Sequence, residues 1–585
     1  RDTIAPRLKG LMGITLRKLI PSEQILNASP LTWYDYINLL IHYGDQSYGS
    51  DFDLGFFKDE NNLDYFMLLN RYYNIGSTSV PVQFNSSCFG NYSNIQLYNL
   101  VDSTKQTIQN NGIIYPTIAL GDALFFRVGP VVKVGGSLLT NETTLPNETL
   151  FEDMFIENGS TLTVNGTYNA KANITVKSGG KIVAGPNGKI IFDPYKKLIL
   201  EGTTEIKGSS PINKLTLEFA SSETGIDVLP GSNVSFRYCY ITGAYNGLVT
   251  RTGTPSYLNI TYSNFAFGST GIVLNGNLYG EESEPSTISG CNFTTWGTGI
   301  SVSNNSSVVI SQNNFISCGI SILNVPAAYI QSNSIYSGSN QSYSGIFFNN
   351  SGGYIRNNLV KNRVNGIHLA NSSPDIGGNI LEDNYLHGLY IGTGSIPNLV
   401  GLVETDPPTY YALAGYNTIF NNGNNTQANT ENDGSEIYFS YSDAYLGTEK
   451  FPGCNEISDD RTSTPSMSTV LLLGGYYYNE PHYLDAIYNY WGTTTPYNDR
   501  FAIATNYAPY SDKPCSPNGG GEEELLLATL SGEVIDTIKS AEGIPLELTV
   551  LEASYSEADN LFATGNVTQA KPLYEQIVSG NHTSE

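Results

Sequence analysis

The chain has little charge and few residues that do chemistry unaided. Asp, Glu, Lys and Arg make up 14% of its 585 residues, well below the roughly 25% usual in soluble proteins. Only 29 of these are basic against 54 acidic, a net charge of −25. That balance excludes nucleic acid, whose phosphates need Lys and Arg, and an anionic membrane surface. Six Cys are present with no CxxC pair and no Cys/His cluster, which excludes a zinc site. No run of roughly 18 or more apolar residues occurs, so no segment reads as a spanning helix. Residues 11–20 are apolar but carry Arg17 and Lys18, unlike a signal-peptide core. The chain therefore reads as a mature, already processed form. A nucleophile elbow, a phosphate loop and a dinucleotide fingerprint are all missing.

Asn, Gly, Ser, Thr and Tyr fill the gap, with 59 Gly and 41 Tyr. Such a composition suits sheet surfaces and polar turns rather than helical bundles. The length calls for several compact domains unless the chain grows along one axis as a repeat. A repeat is present. A hydrophobic residue is followed after two positions by a small polar one. A second hydrophobic residue comes next but one, then a variable turn, then Gly and a hydrophobic residue. The pattern runs Phe236-Cys239-Ile241 to Gly247-Leu248 and Ile260-Ser263-Phe265 to Gly271-Ile272. It continues as Ile288-Cys291-Phe293 to Gly299-Ile300, Ile310-Asn313-Phe315 to Gly319-Ile320, and Ile330-Asn333-Ile335 to Gly345-Ile346. Ile355-Asn358-Val360 to Gly366-Ile367 and Ile376-Asn379-Leu381 to Gly388-Leu389 complete it. The Gly positions lie 20 to 28 residues apart.

Each segment encodes two or three short strands with alternating inward residues, and none can bury its apolar face alone. Stacked coils can, with equivalent residues about 4.8 Å apart along the axis. The Gly is expected to permit the backbone conformation of a corner. Cys239, Ser263, Cys291, Asn313, Asn333, Asn358 and Asn379 are expected to stack at one bend as a ladder, each amide bonding its neighbour and the turn. Cys239 and Cys291 fall two coils apart, about 10 Å, beyond disulfide reach.

These residues resemble the right-handed parallel β-helix repeat family, which contains pectate-lyase-like folds and many bacterial surface proteins. Gly159-Ser160-Thr161-Leu162-Thr163-Val164, the run Ile174 to Ile182, and Leu198-Ile199-Leu200-Glu201-Gly202 resemble the first coils of large secreted bacterial β-helices. Asn489-Tyr490-Trp491-Gly492 resembles their closing motif. The resemblance spans about residues 150–515 and speaks to fold more than to activity, because this fold hosts many functions. It implies an all-β chain: a right-handed parallel β-helix solenoid over 151–515, interrupted by a polar insertion near 392–465.

The flanks read differently. Residues 1–150 form an N-terminal mixed, β-rich domain expected to cap the first coil, with a helix over 31–43 begun by Ser29 and Pro30. Residues 516–585 read as a linker and a short C-terminal helical hairpin resembling one tetratricopeptide unit.

Polysaccharide lyases of this fold need a base and carboxylates that hold calcium or the uronate. Arg356 and Lys361, with Arg363 nearby, and Asp375 and Glu382, with Asp383, form the richest constellation, read first as surface charges on neighbouring turns. Glycoside hydrolysis needs two carboxylates, and Asp459-Asp460 is the only acidic pair in the later coils. The Asn-Thr-Asp, Gly-His-Gly and Arg-Ile-Lys runs of galacturonase relatives are missing, and five His are too few for a copper-handling relative. Asp51, Asp53 and Asp59 are weak calcium candidates in a loose spacing; no other cofactor is called for. Nineteen Asn-x-Ser/Thr sequons, including Asn85, Asn141, Asn165, Asn233, Asn292 and Asn371, are candidate glycosylation sites. Outward Tyr, such as Tyr410-Tyr411 and Tyr476-Tyr477-Tyr478, suit sugars or other proteins. The expected function is a non-catalytic structural or adhesive protein, extracellular or on the cell surface, able to self-assemble into filaments or to join other surface proteins. A polysaccharide lyase or glycoside hydrolase, and a glycan-binding module, are the alternatives.

Overall fold

A computed structural model describes residues 12–18, 37–39, 52–70, 78–79, 82–84, 89, 92–109, 113–119 and 121–220, and also 501, 505–506 and 510. It describes 223–492 except for 254–255, 277–284, 296, 306, 338–342, 401–402, 405–409, 412–414, 424–433, 448–452, 460–470 and 477–483. The helical hairpin expected in 516–585 lies outside the described residues. The chain divides into two compact units, residues 1–209 with 213–235, and residues 210–212 with 236–585.

The first unit opens on an antiparallel sheet in the order Met12–Lys18, Phe52–Lys58, Asp64–Asn70, Ala123–Pro130, Asn94–Asn99, Lys105–Gln109. Alternation places Phe66, Leu68 and Val128 on one face and Phe125 on the other, all buried, and the Phe66 and Phe126 rings stack at 4.9 Å. Where the sequence reads a helix over 31–43, Ile37–Leu39 is a strand paired antiparallel to Val82–Phe84. The run is rich in Trp, Tyr and Ile, so cross-strand pairing overrides the Ser-Pro helix start.

Coiling begins at Gly136. Gly136–Leu138, Met154–Ile156, Ile174–Val176 and Leu198–Leu200 pair in parallel as one sheet, and two further sheets repeat the arrangement coil by coil. The strand Asn94–Asn99 is bolted to this first coil. One oxygen of the buried Glu142 carboxylate accepts from Ser93 N at 2.6 Å, Ser93 Oγ at 2.6 Å, Asn94 N at 3.0 Å and Asn94 Nδ2 at 2.9 Å. Asn94 Oδ1 in turn accepts from Leu139 N and Thr140 N. Ion pairs link successive coils outside, as at Lys181–Glu205 and Lys189–Glu218, both 2.7 Å. Such exposed rungs contribute about 0–1 kcal/mol each.

The second unit is coiled as well, with three parallel sheets. The first holds Thr298–Ser303, Gly319–Leu323, Ile346–Asn349, Asn365–Ala370, His387–Ile391 and Ser435–Ser440 among its strands. Gly353–Arg356 and Asp375–Gly377 end the second. Leu359–Lys361, Ile380–Glu382, Thr418–Phe420 and Glu456–Ser458 end the third. Within 392–465 the strands Thr418–Phe420, Ser435–Ser440 and Glu456–Ser458 thus stay in the coil register. Equivalent inward residues stack in rows, because parallel strands in register repeat the same residue on the same face. Phe265, Phe293 and Phe315 stack at 4.9 and 4.8 Å, all buried. Phe293→Leu keeps most of the volume but loses both stacks, so it should cost about 1–3 kcal/mol in urea denaturation.

Each of the three bends of the second unit carries a ladder along part of its length. At the bend between second and third sheets, Cys239 N donates to Ser263 Oγ, Ser263 N to Cys291 Sγ and Cys291 N to Asn313 Oδ1. Asn313, Asn333, Asn358 and Asn379 follow at 3.0 Å steps, and the row runs on through Asn417, Asn455 and Asn489. The residue before each ladder position is left-handed, among them Tyr238, Tyr262, Gln312, Ser332, Asn357 and Gly378. At the bend after the first sheet, Ser351, Ser372 and Ser395 each accept the preceding coil's backbone N–H at 3.0 Å. At the third bend the row is Arg363, Asn384 and Asn422, closed by the Glu436 carboxylate from the strand Ser435–Ser440.

The repeat glycines serve a different purpose from the one expected. Gly345 and Gly366 are not left-handed. A Cβ on Gly345 would lie 2.2 Å from a Val360 methyl, and one on Gly366 would lie 2.5 Å from the Gly388 carbonyl oxygen. These glycines let adjacent coils close on each other. The closing motif is likewise structural: Asn489 ends the ladder, and Trp491 is buried with Phe501 packed edge-on at 5.1 Å.

Candidate functional site

The sequence-derived catalytic constellation separates on folding. Arg356 ends a strand of the second sheet and lies over the Tyr354 ring at 4.4 Å, which stacks on Tyr329 at 5.3 Å. Asp375 is the register partner of Tyr354 on the next coil, and its Oδ1 accepts from Asn398 Nδ2 at 2.9 Å. Burial lowers the Arg356 pKa, against the pull of Tyr354 and Asp375. Lys361 and Glu382 are register partners on the third sheet, joined at 3.1 Å. The Asn358 corner stands between the two pairs. Arg363, read from sequence as a surface base, is fully buried in the third-bend row, and its guanidinium nitrogens have no hydrogen-bond partner among the described residues. Asp459 is buried, and Asp460 lies outside the described residues.

The other candidates are placed as follows. Asp59 spends its carboxylate on its own turn, accepting from Asn61 N, Leu63 N and Tyr65 Oη. Burial, helped by Asp59, raises the Tyr65 pKa to about 12. Asp51 and the Asp53 side chain lie outside the described residues, and no three His, Cys, Asp or Glu gather among the described ones. Asn141, Asn233 and Asn371 are exposed, whereas Asn165 and Asn292 are half-buried. Asn292 Nδ2 is tied to Asn264 Oδ1 at 3.1 Å. Asn85 lies outside the described residues, as do the side chains of Tyr410, Tyr411 and Tyr476 and the whole of Tyr477 and Tyr478. None of the described cysteines is in a disulfide.

What the coils bring together instead is an aromatic row on the outer face of the first sheet. Phe347, His368, Tyr390 and Tyr438 are register partners on successive strands. Their ring centroids follow at 4.9, 4.5 and 5.3 Å. The buried His387 stacks on Tyr438 at 4.5 Å, with Nδ1 accepting from Ser435 N at 3.1 Å. Burial lowers the His368 pKa, which favours its neutral ring. The upstream end of the row opens into a groove of about 360 Å³ lined by Thr298, Ser321, Tyr343, Phe347, Asn365 and His368 among others. Tyr343 stands exposed at its rim. Asn365 is 7% exposed, and its Oδ1 has no hydrogen-bond partner among the described residues. The row follows a sequence signal: in Gly345-Ile346-Phe347, Gly366-Ile367-His368 and Gly388-Leu389-Tyr390 an aromatic ring comes directly after the Gly-hydrophobic pair.

Residues 248–401, which include the groove, match the family model described as a right handed beta helix region. This stretch is a right-handed β-helix. No curated protein matches the chain. Among solved structures, a double mutant of the periplasmic alginate epimerase AlgG is similar, at 15% identity and a TM-score of 0.37, over 53% of this chain and 77% of that one. On the β-helix, then, the outer face of the first sheet carries a row of contacting rings and a groove, while Arg356, Asp375, Lys361 and Glu382 sit on the other two sheets and Arg363 in the core.

Proposed function

We propose that this protein is an exported, cell-surface β-helix that adheres by binding glycans along the first sheet without turning them over. The observation that carries the reading is the row Phe347–His368–Tyr390–Tyr438 ending in the groove. Rings repeated coil by coil along one axis form a ridge of aromatic surface that suits the apolar faces of successive sugars in an extended chain. A lyase needs a free base beside its carboxylates. Here Lys361 is held by Glu382 and lies on a different sheet from Arg356.

Binding and turnover are read together, by affinity electrophoresis in a polysaccharide panel and by absorbance of unsaturated product. Retarded migration with no product is the expected result. Tyr390→Ala should weaken binding about tenfold, the loss of one stack of about 1.4 kcal/mol. Product that disappears in Arg356→Ala would establish the lyase reading instead, and a chain that binds no glycan would overturn the proposal.

A further inference from the structure

We infer that the groove takes a neutral, hydroxyl-bearing sugar rather than a uronate, and that Asn365 selects it; this rests on the glycan-binding reading above. Three observations point to that class. Among the described residues the lining contains no Asp, Glu, Lys or Arg: its polar atoms come from Ser, Thr, Tyr, Asn and His side chains and from the backbone. A sugar carboxylate would lose its hydration there without gaining the charge-assisted donors that recognise it, and the chain's net charge of −25 opposes it further.

The nearest candidate cation in sequence is Arg363, two residues before Asn365. Its side chain is fully buried and forms no part of the lining, so a carboxylate would have to enter the core to pair with it.

The third observation is Asn365 itself. Its Nδ2 reaches Ser344 Oγ only at 3.4 Å, and its Oδ1, buried at the groove wall, accepts nothing among the described residues. A buried acceptor left unmade costs about 1–3 kcal/mol. Oδ1 is closed to solvent as it stands, and a turn of the Asn365 amide into the groove it lines would present this acceptor to a ligand hydroxyl, while Phe347 and Tyr343 line the same groove beside the apolar side of the sugar.

The test is calorimetric titration of the full chain with two sets of oligosaccharides, neutral gluco-, galacto-, manno- and xylo-oligomers against oligogalacturonate and oligoalginate. Neutral ligands are expected to bind and uronates not. Asn365→Leu, which removes the acceptor, should weaken neutral binding tenfold or more. Tyr343→Ala, a change at an exposed rim position that leaves the core intact, should weaken it severalfold and serves if Asn365→Leu does not fold. Uronate binding that depends on Tyr343, with neutral sugars inert, would overturn this inference and leave the glycan reading standing. Neutral binding indifferent to both substitutions would remove the groove from the proposal. A chain that binds neither set would overturn both.

Discussion

Asn358→Ala is expected to destabilise the second unit by about 4–7 kcal/mol, a large share of any domain's net stability. The Asn358 side chain makes four hydrogen bonds in a dry corner: Nδ2 donates to Ile330 O at 2.9 Å and Asn379 Oδ1 at 3.0 Å, and Oδ1 accepts from Asn333 N and Nδ2, both at 3.0 Å. Alanine leaves the Asn333 N–H and the Ile330 carbonyl without these partners. Each of these two orphaned groups costs about 1–3 kcal/mol, the two bonds to the neighbouring Asn side chains add about 1 kcal/mol apiece, and a small cavity remains. Asn358→Ser should cost about half as much. Ser263 already fills the same slot upstream, accepting from Cys239 N at 3.1 Å and donating to Thr261 O at 2.9 Å. Because a solenoid couples nearest neighbours, protection from hydrogen exchange should fall first in the coils touching Asn333 and Asn379. Urea denaturation of the full chain measures the total. A loss below about 1 kcal/mol, or equal losses for Ala and Ser, would mean that the ladder only accompanies the fold and does not hold it.

That ladder was legible in the sequence because its chemistry repeats: a slot with room for one small polar group accepts only Asn, Ser or Cys, and the same choice recurs coil after coil. The left-handed residue before each slot was not legible, since Tyr238, Gln312, Ser332 and Asn357 share no side-chain property. The glycines were found for the wrong reason. A glycine required by a neighbour's carbonyl looks the same in sequence as one required by its own φ, and only the stacking distance separates the two cases. Arg363 shows the limit most plainly. A guanidinium is read as surface by default, yet this one enters at the third bend, where no strand alternation says which way a side chain points. The aromatic row escaped notice for the opposite reason. Phe, His and Tyr look unrelated as letters, and they become one surface only when the register sets them about 4.8 Å apart.

Within that row the second large effect is expected on acidification. His387 is buried against Tyr438, with Tyr390 and His368 beside it, and its Nδ1 accepts the Ser435 N–H. Burial first, and the neighbouring His368 second, push its pKa from the ordinary 6.5 down to about 3. Below 6.5 the unfolded chain takes up a proton that the folded chain refuses. The stabilisation is therefore complete above the unfolded pKa and is lost as pH falls toward about 3. Between pH 7 and pH 4 this one ring should account for about 3 kcal/mol of lost stability. Carboxylates titrate in the same window, so the measurement is a difference: urea midpoints of the wild type and of His387→Asn at both pH values. Asparagine keeps an acceptor near the Ser435 N–H and has no proton to take up, so the variant should be the less acid-sensitive protein by about that amount. Parallel losses in the two proteins would show that His387 is protonated in place, stacked on Tyr438 as a cation. In that case the aromatic row would gain a charge in acid instead of coming apart, and glycan binding would persist at pH 4, where loss of His387 packing would abolish it.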